Sequence, residues 1–166
     1  MMLYVLRHGI AEQTASDGDD RSRRLTPAGR RKLRAAAEGM RALGLRFDLI
    51  LTSPLPRAAE TAAIVKEALG GEPVPRELGA LEQGFSPVET VRALRPFARY
   101  EHVAIVGHEP GLSGVVALLL TGSPDGVRLV LKKGGLVGLE THDLARGTGA
   151  TLRWLLTPRQ LRRLGR

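Results

Sequence analysis

Apolar positions along this chain fall into two kinds of block. Met2–Arg7 begins with five apolar residues in succession, the pattern of a strand buried on both faces, because a strand with one wet face would alternate. Phe47–Thr52 and His102–Val106 repeat that pattern. Between them run longer blocks with helical spacing and helical stop signals. Thr26-Pro27 predicts an N-cap with proline in the first turn, opening a helix that runs to Leu43 and stops at Gly44. Arg57–Leu69 predicts a second helix, closed by Gly70-Gly71. Ser86-Pro87 opens a third that runs to about Arg99, and Gly111–Leu120 forms a fourth. Glu72–Arg76 predicts a short strand, followed by an irregular loop over Glu77–Gly84. Val127–Leu131, Leu136–Thr141 and Thr151–Leu156 predict strands joined by glycine-rich turns, and Pro158–Leu164 a short basic helix. Thr14–Arg24 is a loop rich in Asp, Ser and Arg.

Strands alternating with helices predict an α/β fold. The expected form is a three-layer sandwich with a mainly parallel central sheet, covered by helices on both faces, with antiparallel pairing confined to the later strands. No repeat, low-complexity tract or linker divides the 166 residues, so residues 1–166 are expected to form one domain. In such sheets ligands bind outside the carboxyl ends of the strands. Arg7-His8 follows the first buried strand, Thr52-Ser53 the second and Gly107-His108 the third.

Composition narrows the function classes. No apolar stretch approaches the roughly 18 residues that span a bilayer, and the N-terminal run is too short for a signal peptide before Arg7-His8 interrupts it. A cytoplasmic location is expected, without a membrane partner. The absence of cysteine excludes a disulfide framework, a zinc–thiolate site and a cysteine nucleophile. The net charge is +8, and only Lys32, Lys66, Lys132 and Lys133 of the 25 basic residues are lysines. An arginine excess suits phosphate, whose oxygens the guanidinium fork matches, but it also describes a chain that spends positive charge on solvated faces. Aromatic residues make up 4%, which leaves few rings for base stacking and argues against nucleic acid. The final P-R-Q-L-R-R-L-G-R reads as a solvated amphipathic end, or as a surface for an acidic protein or nucleic acid.

Three segments at strand ends carry the chemistry: L-R-H-G at 6–9, S-P-L-P-R-A-A-E-T-A at 53–62 and V-G-H-E-P-G at 106–111. Arg57 falls in the first turn of its helix, where free N–H groups and the macrodipole already favour an anion. Two arginines and two histidines at neighbouring strand ends form a compact positive pocket for a tetrahedral oxyanion. Ser53 lies in no G-x-S-x-G elbow and reads as a turn or cap residue. His102 and His142 lie outside the motifs and read as structural or surface residues.

Taken together, the ordered segments resemble the histidine phosphatase superfamily, whose fold is phosphoglycerate mutase-like. D-R-S-R-R-L-T-P-A-G at 20–29 and the small size resemble the short SixA-type phosphohistidine phosphatases. The resemblance implies that His8 is the nucleophile, that Arg7 and Arg57 grip phosphoryl oxygens, and that His108 is the second histidine of the pocket. It also implies that Arg23, in preference to its neighbour Arg24, adds a phosphate contact. No metal or other cofactor is implied. Neutral His8 would attack phosphorus in line, its other ring nitrogen donating to a fixed acceptor near Gly9, and Gly9 would let the chain approach the phosphate. Larger members place an acidic proton donor in the loop occupied here by Glu77 and Glu82, which read equally well as surface charges. A phosphoramidate leaving group needs less protonation than an alkoxide, so a missing acid favours phosphohistidine on a protein as substrate. The alternatives are a phosphomonoesterase for a small metabolite or nucleotide, and a non-catalytic phosphate- or nucleic-acid-binding module. A phosphate or sulfate ion is the expected occupant of the pocket.

Overall fold

The computed structural model describes residues 1–166, apart from the side chain of Ala145. Its centre is a six-stranded sheet of β1 (Met2–Arg7), β2 (Leu49–Thr52), β3 (Arg76–Glu77), β4 (His102–Gly107), β5 (Leu136–Glu140) and β6 (Thr151–Leu156), in the order β3-β2-β4-β1-β5-β6. The first four strands are parallel, β5 runs antiparallel to β1, and β6 runs antiparallel to β5. Five helices cover it: α1 (Pro27–Ala42), α2 (Pro56–Ala68), α3 (Pro87–Leu94), α4 (Gly111–Thr121) and α5 (Pro158–Leu164).

Both faces of β1 are buried, which is why its apolar run is unbroken. Leu3 and Val5 join the core built with Val91, Leu94, Val115, Val116 and Leu119 of α3 and α4. Tyr4 and Leu6, one residue out of phase, join Ala37 and Met40 of α1, Ala58 and Ala62 of α2, and Leu161 of α5. The sandwich is therefore two cores divided by one sheet. Gly39 allows α1 and α5 to touch backbone to backbone, since a Cβ there would lie 1.9 Å from Leu161 O.

Several boundaries differ from those expected. Glu72–Arg76 is not a strand: β3 is only Arg76–Glu77, pairing with Leu51 and Thr52 at the sheet edge, so Glu77 belongs to a strand rather than a loop. Val127–Leu131 is not a strand either. Both edges of β1 are already taken by β4 and β5, Val127 and Val130 are exposed, and the segment instead passes the end of β1, where Leu131 O accepts from Arg7. α3 ends at Leu94, and Arg95–Phe97 tightens into a 3₁₀ turn because Pro96 has no N–H to continue the ladder. Among the described residues, no helix is long and apolar enough to cross a membrane.

Candidate active site

The carboxyl ends of β1, β2 and β4 deliver their motifs to one place. His8 follows β1 and is 5% exposed, and its backbone N–H donates to Gly107 O at the end of β4. His108 follows β4, is 3% exposed, and its ring centroid lies 5.1 Å from that of His8. Arg57 enters from the first turn of α2 and is fully enclosed.

The tautomer of His8 is fixed by the backbone. Its Nδ1 lies 2.7 Å from Gly9 O, an acceptor only, so Nδ1 carries the proton and Nε2 keeps a free electron pair. Burial holds the ring well below its ordinary value, at about 4, with Arg57, Arg7 and Lys133 adding to the effect, while the hydrogen bond to Gly9 opposes it. His108 is lowered to about 3, first by burial and then by His8, Arg57 and Arg23. Both imidazoles are neutral at pH 7.

Ser53, read from sequence as a turn residue, does that and more. It is completely buried, its Oγ accepts the Leu55 N–H at 3.2 Å, and it sits 2.9 Å from His108 Nε2. That nitrogen is the remaining partner for the single hydroxyl proton, so Ser53 donates to Nε2 and His108 carries its own proton on Nδ1. Among the described residues His108 Nδ1 has no hydrogen-bond partner, and the same is true of the buried Nε atoms of Arg7 and Arg57. A set of buried donors without acceptors is what a phosphoryl group would satisfy.

The arginines are held rigidly. Arg7 Nη1 donates to Leu131 O at 2.9 Å. Arg57 donates to Asp20 O at 2.9 Å and Gln83 Oε1 at 3.0 Å, and pairs with the Asp20 carboxylate at 3.3 Å. Thr61, one turn further along α2, accepts the Gly9 N–H at 3.0 Å and donates to Arg57 O at 2.7 Å, which ties the loop after β1 to the helix carrying Arg57.

Arg23 and Arg24 separate cleanly. Arg24 is turned outward onto Glu60 at 2.8 Å, and the same carboxylate takes Arg30 and the Leu25 N–H. Arg23 turns inward: its Nη1 donates to Glu12 O at 2.9 Å, and its Nε lies 2.8 Å from Asp20 Oδ1, off the line of a hydrogen bond. Its charge is near enough to depress both Arg57 and His108. Sequence reasoning missed Gln83, Asp20, Thr61 and Glu60. Thr61 and Glu60 stood inside the quoted R-A-A-E-T motif, so their spacing on one helix was the available signal.

The two glutamates also part company. Glu82 lines a cavity of about 930 Å³ that reaches His108, and pairs with Arg21 at 2.9 Å. Glu77 is exposed on β3 and lines neither that cavity nor the smaller one beside Arg7. His102 accepts or donates at Tyr4 Oη, and His142 is exposed. Among the described residues, no group of three or more His, Cys, Asp or Glu is arranged to hold a metal ion.

The description "Histidine phosphatase superfamily (branch 1)" matches residues 3–90, a span that holds Arg7, His8 and Arg57. The chain belongs to that superfamily. An uncharacterized protein of Picosynechococcus sp. is 38% identical over 148 residues, covering 85% of this chain and 86% of its own. Among solved structures, the protein histidine phosphatase SixA complexed with tungstate superposes with a TM-score of 0.84 at 24% identity, covering 97% of this chain and 99% of that one. The alpha-ribazole phosphatase of Shigella flexneri superposes at 0.73 with 18% identity, covering 95% and 97%. These likenesses confirm the mainly parallel three-layer architecture. The phosphatase therefore shares its fold with enzymes named for a protein substrate and for a small metabolite.

Proposed function

We propose that this phosphatase hydrolyses phosphohistidine on a protein through a phosphohistidine intermediate on His8. The observation that carries the nucleophile is the 2.7 Å contact of His8 Nδ1 with Gly9 O, which leaves Nε2 unprotonated beside Arg7, Arg57 and His108. In the first step His8 Nε2 forms a bond to phosphorus while the P–N bond to the substrate imidazole breaks, and the departing nitrogen takes a proton from solvent. In the second, water attacks phosphorus, the bond to His8 breaks, inorganic phosphate leaves, and the proton from water passes to solvent. Arg7, Arg23 and Arg57 grip the equatorial oxygens, His108 donates from Nδ1, and Gly9 admits the phosphate without a side chain in its way.

The choice of substrate rests on proton supply. Among the described residues no carboxylate is hydrogen-bonded to either histidine, Glu82 is engaged by Arg21, and Glu77 is exposed on an edge strand. A phosphoramidate tolerates that arrangement better than an alkyl ester, whose leaving alkoxide requires protonation. A second reading, a phosphomonoesterase for a small metabolite, is favoured by one observation: Glu82 lines the same cavity as His108.

Wild type and His8→Ala should be compared on a phosphohistidine-bearing protein and on a panel of alkyl phosphates. The wild type should prefer the phosphohistidine protein and trap an acid-labile phosphoenzyme, and His8→Ala should do neither. Retained activity in His8→Ala removes the nucleophile assignment, and a preference for alkyl phosphates removes the substrate assignment.

A further inference from the structure

A second cavity, of about 420 Å³, opens beside Arg7 on the side of the sheet covered by α1 and α5. The larger cavity that reaches His108 is bounded instead by the 82–87 loop, the start of α4 and the 124–129 segment. The two differ in charge. The larger holds Glu82, Glu109 and Asp125 with Arg128, whereas the smaller is rimmed by Lys32, Lys132, Lys133, Arg162 and Arg7 and contains no carboxylate. Its apolar surface is exposed Ile10 and half-buried Pro158, over Leu33 and Ala36, which are themselves buried.

A basic surface alone would not distinguish this place in a chain of net charge +8. What does is the failure of nearby acids to neutralise it. Glu60 on α2 collects Arg24 and Arg30, and Glu38 on α1 collects Arg41. Among the described residues, none of the five cations at the cavity forms an ion pair. Lys133 is held below its ordinary value first by desolvation and then by Arg7, Arg23 and Arg57, so it stands between this cavity and the phosphoryl pocket. Folding gains nothing from like charges gathered round an apolar floor. An anion that covers the floor relieves both the repulsion and the exposure.

We infer that this cavity is a second anion site, adjoining the phosphoryl pocket at Arg7 and Gly9 but extending beyond it towards Lys32 and Arg162, for an organic polyanion of nucleotide size. Its phosphate groups lie against Lys32, Lys132, Lys133 and Arg162, and its apolar body rests on Ile10 and Pro158. The volume is within the range of small-molecule pockets, about 300–1,000 Å³. The Lys132-Lys133 turn is strapped to the catalytic strand: Gly134 N–H is shared between Arg7 O and His8 O, and Arg7 N–H donates to Gly135 O. An occupant therefore bears on the turn that steadies Arg7 and His8.

The test is calorimetric titration with magnesium-free ADP, in the presence of enough tungstate to fill the phosphoryl pocket. ADP should bind one site per chain. Lys32→Glu/Arg162→Glu should weaken it by at least about tenfold, while circular dichroism and tungstate binding stay as in wild type. Pyrophosphate and adenosine should each bind more weakly than ADP. No binding, displacement of ADP by tungstate, or an affinity untouched by the double charge reversal would each overturn the second site. Pyrophosphate binding as tightly as ADP would overturn the role of the apolar floor and with it the ligand class.

Discussion

Replacing Ser53 by alanine removes one oxygen from a fully enclosed position and leaves two buried groups without partners, His108 Nε2 and the Leu55 N–H. An unsatisfied buried polar group costs about 1–3 kcal/mol, so the pair costs about 2–6 kcal/mol of stability. That is a large share of a typical 5–15 kcal/mol, so the kinetic comparison is made at a temperature where the variant is shown to be folded. The catalytic consequence is separate. Without the Ser53 proton, His108 is free to protonate Nε2, and Nδ1 then stops being a donor toward the phosphoryl group. Loss of one preorganised donor costs about 10²–10³ in kcat at most. The ring keeps its slot between β4 and Ser53's vacated space, so we expect about tenfold to hundredfold, or about 1.4–2.8 kcal/mol of barrier. KM should move little, because Arg7 and Arg57 keep their grip on the ground state. Steady-state kinetics supply one readout, and ¹⁵N correlation spectra of the His108 ring supply another that a merely structural loss would not move. Wild type should carry its proton on Nδ1, the alanine variant should show a mixture, and Ser53→Cys, with its weak donor, should recover part of both. Full kcat in folded Ser53→Ala, or a wild-type proton on Nε2, would refute the reasoning.

Three further outcomes follow from the geometry. Gly39→Ala drives a Cβ into Leu161 O across the α1–α5 contact and should cost about 3 kcal/mol, read as a lower urea midpoint with unchanged slope; an unchanged midpoint would mean the helices separate freely. In the unfolded chain both site histidines titrate near 6.5, but folded they titrate at about 4 and about 3. The unfolded state thus binds more protons below pH 6.5, and stability contributed by keeping His8 and His108 neutral is full above that value and lost as pH falls toward 4 and 3. A midpoint series from pH 7 to 4 should fall more steeply for wild type than for His108→Gln, and equal slopes would contradict the assignment. Glu82→Gln should lower alkyl phosphate hydrolysis by about tenfold or more and leave phosphohistidine hydrolysis within about twofold, whereas Glu77→Gln should change neither; equal loss on both substrates from Glu82→Gln would mean it acts only by holding Arg21.

The legible parts of the sequence were those with a local physical cause. Unbroken apolar runs marked β1, β2 and β4, because burial on two faces leaves no position for a polar residue. Thr26-Pro27 and Ser86-Pro87 marked helix starts, because capping is decided within a few residues. Arg7, His8 and His108 were found because each stood at the end of such a run, and Arg57 and Arg23 because they stood in motifs that follow or precede a helix start. What could not be read depended on partners distant in the chain. Whether Val127–Leu131 pairs depended on β5 having already filled the edge of β1. The inward turn of Arg23 depended on Glu60 claiming Arg24 from another helix, and the second task of Ser53 needed His108, 55 residues away, to arrive beside it.

Thr61 has a further consequence. One hydroxyl accepts from the nucleophile's loop and donates to the carbonyl of Arg57, so spacing between attacking nitrogen and guanidinium is not left to the substrate to establish. The entropy of bringing those groups together is spent when the chain folds, before any phosphate arrives. Binding can then be fast and modest in affinity while the barrier stays low. It also means that loosening this one hydroxyl should make the phosphate itself an organiser of the site, turning a rigid receptor into one that assembles around its ligand.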